Sequence, residues 1–124
     1  MEHLTVEDLL LIAETTVGQP AVRDIGLLDS AAHRPRASAF GKDAYPTIHE
    51  KAGALLEAVV RNHALVDGNK RLAWAAAVVL YDLNGFDLDP PSVDEAVELV
   101  VTVAAGQTEL TKLAERLASW ANQR

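Results

Sequence analysis

Along most of the chain apolar residues return every three to four positions, and hardly any stretch alternates strictly between apolar and polar. That pattern predicts helices and almost no sheet. A first helix is expected from Thr5, whose hydroxyl can cap the opening amides while Glu7 and Asp8 suit the positive end of the dipole. It should run to about Val17, where Gly18 and Pro20 stop it. A short second helix is expected from about Asp24 to Ala32, before Pro35. Between Arg34 and Pro46 breakers replace the helical period, which predicts an exposed loop or small hairpin. Thr47 and Glu50 form a Thr-x-x-Glu capping box that opens a third helix, carried by Leu55, Leu56, Val59 and Val60 and ending at Arg61, Asn62 and His63.

The fourth helix, from about Asn69 to Leu83, is apolar nearly all round, and such a helix belongs at the centre of a bundle. Asn84-Gly85 supplies its stop, as both residue types accept a positive φ. A fifth helix is expected from Ser92, with Glu95 three residues on, to about Ala105, and a sixth from a Thr108 cap to near the C-terminus. The expectation is an all-α, compact six-helix bundle with a central apolar helix. The 124 residues contain no repeat, low-complexity tract or long linker, so one domain over 1–124 is expected.

Composition narrows the function. Hydrophobic residues make up 49% and charged ones 23% of the chain, which excludes a disordered or fibrous class. The absence of cysteine excludes a disulfide framework, a thiolate nucleophile and a Cys-bearing zinc site. The N-terminus lacks a secretory pattern and no apolar run is long enough to span a bilayer, so a soluble cytoplasmic protein without membrane contact is expected. A net charge of −7 opposes direct DNA binding. The basic residues at Arg34, Arg36, Arg61, Lys70 and Arg71 are too few for a duplex but suffice for one polyphosphate.

The segment joining the third and fourth helices, His63-Ala64-Leu65-Val66-Asp67-Gly68-Asn69-Lys70-Arg71, carries that chemistry. Gly68 and Asn69 at a helix N-terminus can form an anion-binding nest of free amides, with Gly68 allowing close approach to a phosphate. Lys70 adds a point charge and Arg71 a planar fork. Asp67, a lone carboxylate beside phosphate oxygens, is suited to Mg²⁺. His63, as a neutral imidazole, is the candidate general base for a hydroxyl proton. Taken singly, Asp-Gly-Asn is an ordinary helix entry and a lone His is more often structural. The six residue types within nine positions point together to phosphate transfer.

The run resembles the signature of the Fic/Doc family, His-x-Phe-x-Asp/Glu-Gly-Asn-Gly-Lys/Arg, and more closely its Doc-type variant, His-x-Phe-x-Asp-x-Asn-Lys-Arg. Lys70 decides, because it stands where the typical Fic motif has its second Gly. The likeness covers nearly the whole chain in length, helix order, the Asn84-Gly85 stop and the turn at Ala104 to Gly106. It implies that His63 deprotonates a target hydroxyl, that Asp67 binds Mg²⁺, and that Gly68, Asn69, Lys70 and Arg71 hold ATP phosphates. It also implies that the segment Arg34, Pro35, Arg36, Ala37, Ser38, Ala39, Phe40 and Gly41 is a flap aligning a target segment by strand-like pairing. Fic enzymes with the second Gly transfer AMP; Doc toxins, with Lys, transfer the ATP γ-phosphate to a threonine of elongation factor Tu and block translation, and are silenced by the antitoxin Phd. A Lys side chain fills space that a Gly leaves to the phosphates, which favours another nucleotide orientation. The chain departs from the pattern at Ala64, for the common Pro, and at Leu65, for Phe. Leu still anchors the loop by burial, with a loss of about 1 kcal/mol of packing. AMP transfer is the alternative within enzymes. A non-catalytic helical module that holds a partner's carboxylate or phosphate is the alternative from another class, and the complete set of His63, Asp67, Lys70 and Arg71 counts against it.

Other features carry less. His49-Glu50 lacks the second His of a zinc-protease helix, since Gly53 stands at that position. His3 and His33 are expected at the surface, and Trp74 and Trp120 in the core. No other nucleotide-binding motif is present. Thr111 to Arg116 faintly echoes the inhibitory helix of some Fic proteins, whose Glu pairs with the motif's Arg; Arg116 breaks that pattern.

Overall fold

A computed structural model describes all residues, Met1 to Arg124. Thr5 opens α1 (Val6–Thr16) by accepting from the Asp8 amide, while the Asp8 carboxylate accepts from the Thr5 amide. The Asp24 carboxylate caps α2 (Ile25–His33) at the Leu27 amide, and a 3₁₀ turn (Arg34–Arg36) follows. β1 (Ser38–Ala39) and β2 (Lys42–Asp43) then form a minimal antiparallel hairpin, Ser38 opposite Asp43 and Ala39 opposite Lys42. The breaker-rich segment is therefore a hairpin on a helical turn, with Phe40 and Gly41 at its tip in left-handed conformation (φ 54° and 77°).

Thr47 opens α3 (Ile48–Asn62) at the Glu50 amide. Only half of the expected box forms, since the Glu50 carboxylate takes the Thr47 hydroxyl instead of its amide. α4 (Asn69–Leu83) starts behind Gly68 and stops where Gly85 takes φ 86°, whereas Asn84 stays at φ −108° and ties its side chain to Glu2. α5 (Val93–Ala104) is capped by Ser92. α6 (Leu110–Trp120) starts from Glu109, without a side-chain cap, so Thr108 does not hold the expected position.

The helical period did not reveal a second antiparallel pair, β3 (Phe86–Leu88) with β4 (Ala121–Gln123). It closes the chain end onto the turn after α4, reinforced by Arg124 against Asp82 at 2.9 Å and by the Arg124 amide on the Gly85 carbonyl at 2.8 Å. Three-residue strands joined from opposite ends of a sequence leave no alternation to read.

A continuous core of 27 buried residues runs through all six helices, with α3 and α4 packed on one another at its centre. α3 also touches α2, α5, α6 and the 3₁₀ turn, so it links the hairpin at one end to whatever its C-terminus carries at the other. Trp120 is buried and meets the half-buried Trp74 edge to face at 6.3 Å. His33 is exposed as expected, but His3 is half-buried, its Nδ1 without a partner and its pKa lowered, first by burial and then by Arg36 and Lys51. No helix is long and apolar enough to cross a membrane.

Candidate active site

The loop between α3 and α4 is clamped by the segment that leads into α2. His63 ends α3 in left-handed conformation (φ 52°, ψ 45°), a state more common for Gly or Asn, which turns the chain sharply out of the helix. The Arg23 guanidinium donates to the His63 carbonyl. The amides of Arg23 and Asp24 both donate to the Ala64 carbonyl, at 2.8 and 3.1 Å, and the Val66 amide donates to the Ala21 carbonyl at 2.9 Å. Val22 and Leu65 thus form a one-rung antiparallel bridge. Asn62 adds a bond from its side-chain amide to the Leu27 carbonyl at 3.0 Å.

Inside the clamp, Ala64 and Leu65 are buried while His63, Val66 and Asp67 face solvent. Leu65 anchors the loop in the core as its apolar character requires. The Asn69 side chain closes the loop on itself, its oxygen accepting from the Leu65 amide at 3.0 Å and its nitrogen donating to the Leu65 carbonyl at 2.9 Å. The Asn69 backbone amide stays available to a phosphate, and its side-chain nitrogen keeps a second N–H beyond the one spent on Leu65.

The first intrahelical bond of α4 runs from the Leu72 amide to the Gly68 carbonyl, leaving the amides of Asn69, Lys70 and Arg71 without backbone partners. Those donors and the dipole make an anion-binding helix start. Gly68 has φ 89°, and a Cβ there would lie 2.7 Å from both methyls of Val17, so the helix start is pressed against the end of α1. Lys70 and Arg71 are exposed beside it. Asp67 is almost wholly exposed, at 93%, and its nearest cation is Arg71 at 4.0 Å, which leaves its oxygens free for another ligand. No cluster of three His, Asp or Glu side chains exists in the chain. One free carboxylate suits a hydrated Mg²⁺ shared with a nucleotide rather than a metal held by protein alone.

A model of the Fic/DOC family matches residues 3–81, a span that includes the clamped loop, the hairpin and the segment that clamps it. The chain belongs to the Fic/Doc family. It is also similar to "Toxin Doc" of Mycolicibacterium smegmatis (strain ATCC 700084 / mc(2)155), 47% identical over 122 residues that cover 97% of this chain and 94% of the relative. It is 26% identical to "Protein kinase doc" of Escherichia phage P1 over 122 residues, 94% of each chain.

In this Fic/Doc chain the eight positions expected to form a flap divide. Arg34, Pro35 and Arg36 form the 3₁₀ turn, with Pro35 buried against the bundle, and Ala37, Ser38, Ala39, Phe40 and Gly41 beyond it are exposed. Arg34 donates to Glu57 at 2.6 Å and to the Tyr45 hydroxyl at 3.2 Å; burial works against its charge, but these two partners outweigh it and raise its pKa. Phe40 is fully exposed at the tip.

The sequence did not reveal Arg23, Asn62 or Val17 as parts of the site. Their contacts are to backbone atoms and to a missing side chain, and such partners leave no residue-type pattern. Glu115 lines a cleft with Thr47, His49 and Glu50, at the N-terminal end of α3. His63 and Arg71 lie at the other end of that helix, about 20 Å away for 15 residues. Glu115 does not meet the motif's Arg, and Arg116 stacks over Trp120 instead. Beside the start of α4 lies an apolar groove of about 550 Å³, lined by Lys70 and Arg71 together with Trp74, Leu88, Val97 and Val101.

Proposed function

We propose that this chain is a Doc-type toxin, an ATP-dependent protein kinase that transfers the γ-phosphate to a Ser or Thr hydroxyl of a target protein. By the resemblance that target is elongation factor Tu, and its modification would block translation in the cytoplasm. The observation that carries the reading is the pairing of two features on one clamped loop. An exposed imidazole at His63 opens the loop, and unpartnered amides at Asn69, Lys70 and Arg71 close it, with a lysine at the position where AMP-transferring members have Gly. The name of the phage P1 relative, a protein kinase, supports the same direction of transfer.

The chemistry follows from those atoms. The neutral His63 ring accepts the proton of the acceptor hydroxyl as its oxygen bonds to the γ-phosphorus. The bond from that phosphorus to the β,γ-bridging oxygen breaks, and ADP leaves. The amides of Asn69 to Arg71, the Lys70 ammonium and the Arg71 fork hold the phosphate oxygens and oppose the charge that spreads over them. Asp67 would hold Mg²⁺, which when bound neutralises phosphate charge. Ser38 and Ala39 at the hairpin would pair with an extended target segment.

The groove next to the helix start fits the partner that a toxin needs. α5 exposes Val93, Val97 and Val101, spaced four apart on one face. An amphipathic helix of a Phd-like antitoxin laid on that stripe would end beside Lys70 and Arg71 and hinder nucleotide entry. The decisive test uses purified protein, Mg²⁺, elongation factor Tu and ATP labelled at either the α- or the γ-phosphate. Label from the γ-position on the factor is expected; label from the α-position would replace this reading by AMP transfer.

A further inference from the structure

Lys51 is the one fully buried charged residue of the chain, at 3% exposure. Its position in the first turns of α3 places it under the hairpin, where its ammonium donates to the Asp43 carboxylate on β2 at 3.2 Å and to the Pro35 carbonyl at 3.4 Å. These two partners stand at opposite ends of the hairpin segment. Arg34 repeats the arrangement one step further along, joining the start of the segment to Tyr45 at its end and to Glu57 on α3. Both ties thus end on the helix whose C-terminus carries His63. Along that rigid helix Lys51 is about 18 Å from His63.

Burying an ammonium is unfavourable, and apolar side chains of similar volume in place of a buried ion pair often leave stability unchanged. Lys51 therefore does little for stability that a methionine would not do. What the cation does supply is one bond to β2 and another to the 3₁₀ turn that leads into β1, across a hairpin that has only two residue pairs of its own and marginal stability in isolation. We propose that Lys51 is a positioning residue for the acceptor protein: it locks the hairpin onto α3, so that a target segment paired with the hairpin meets His63 at a fixed separation. This rests on the phosphotransfer reading above, but its structural half does not.

Lys51→Met separates the roles. In the free protein, amide hydrogen exchange over residues 37–44 is expected to quicken about tenfold or more, with α4 amides unchanged. In phosphate transfer, KM for the target protein is expected to rise about tenfold, with kcat, ATP affinity and Tm near wild type. Asp43→Asn, which removes the counter-charge but keeps an oxygen for the Lys51 ammonium, is expected to change KM in the same direction. Unchanged exchange and unchanged target KM in both variants would overturn the proposal. A lower Tm with kcat and ATP affinity impaired alongside KM would also overturn it, in favour of a purely structural lysine. If the wild type moved no γ-phosphate, the kinase reading would fall, and the exchange rates would still decide whether Lys51 holds the hairpin.

Discussion

Replacing Gly68 by Ala adds a single methyl group at the point where α4 begins. Two effects add there. The backbone stands at φ 89°, outside the range an L side chain favours, at a cost of about 1–2 kcal/mol. The new Cβ would also lie 2.7 Å from both Val17 methyls, so either α1 or the loop has to shift. Overpacking of that kind costs about 1–3 kcal/mol. Together the loss is about 2–5 kcal/mol, which for a chain of this length lowers Tm by about 8–20 °C. Calorimetry on Gly68→Ala, Val17→Ala and the double variant measures it. Val17→Ala should destabilise the wild type by opening a small void, yet restore part of the loss in the Gly68→Ala background, because it removes the clash and leaves the strained φ. A Gly68→Ala protein within about 2 °C of wild type, or no relief from Val17→Ala, would refute the claim that the helix start is fixed by contact with α1.

Three further outcomes are expected. His49 is held below its ordinary pKa by burial, and its Nδ1 shares a hydrogen bond of 2.9 Å with the Tyr81 hydroxyl, itself kept neutral by burial. The unfolded chain therefore binds the proton first, near pH 6.5. Stability should be full above about pH 6.5 and decline as pH falls through the folded value, and His49→Gln should flatten that slope in urea titrations; an equal slope in both proteins would count against it. Lys70→Gly should cut γ-phosphate transfer at least about tenfold and admit some AMP transfer, read by the two labelled ATPs; unchanged γ-transfer would remove Lys70 from the argument. Val97→Asp on the exposed stripe of α5 should weaken capture of a co-encoded antitoxin by about tenfold or more while leaving kinase activity intact, measured by calorimetric titration; unchanged affinity would place the antitoxin elsewhere.

The sequence carried the helices well because their starts are chemical. Thr5, Thr47 and Ser92 each cap the helix expected of them, and Asp24, the expected start of the second helix, proves to be its cap. It failed at Thr108, where Glu109 precedes the helix without any side-chain bond, so that packing of Leu113 and Leu117, not a cap, sets the start. It also failed for β3 and β4, which are defined by pairing between distant segments. The reactive loop was legible as a cluster of residue types. How it is held was not: Arg23 and Asn62 act on carbonyls, and the Asn69 side chain ties the loop to itself at Leu65. The buried Lys51 looks in sequence like any polar residue of an amphipathic helix. Only the hairpin folded over it shows why it is charged.

On the proposed reading, His63 to Arg71 moves one phosphate from ATP to a protein hydroxyl. The intact mass of elongation factor Tu after incubation with ATP, Mg²⁺ and either wild type or His63→Ala tests it most directly. A gain of a single phosphate with wild type, and no gain with His63→Ala, is the expected result. A gain of AMP, or the same modification with both proteins, would contradict it.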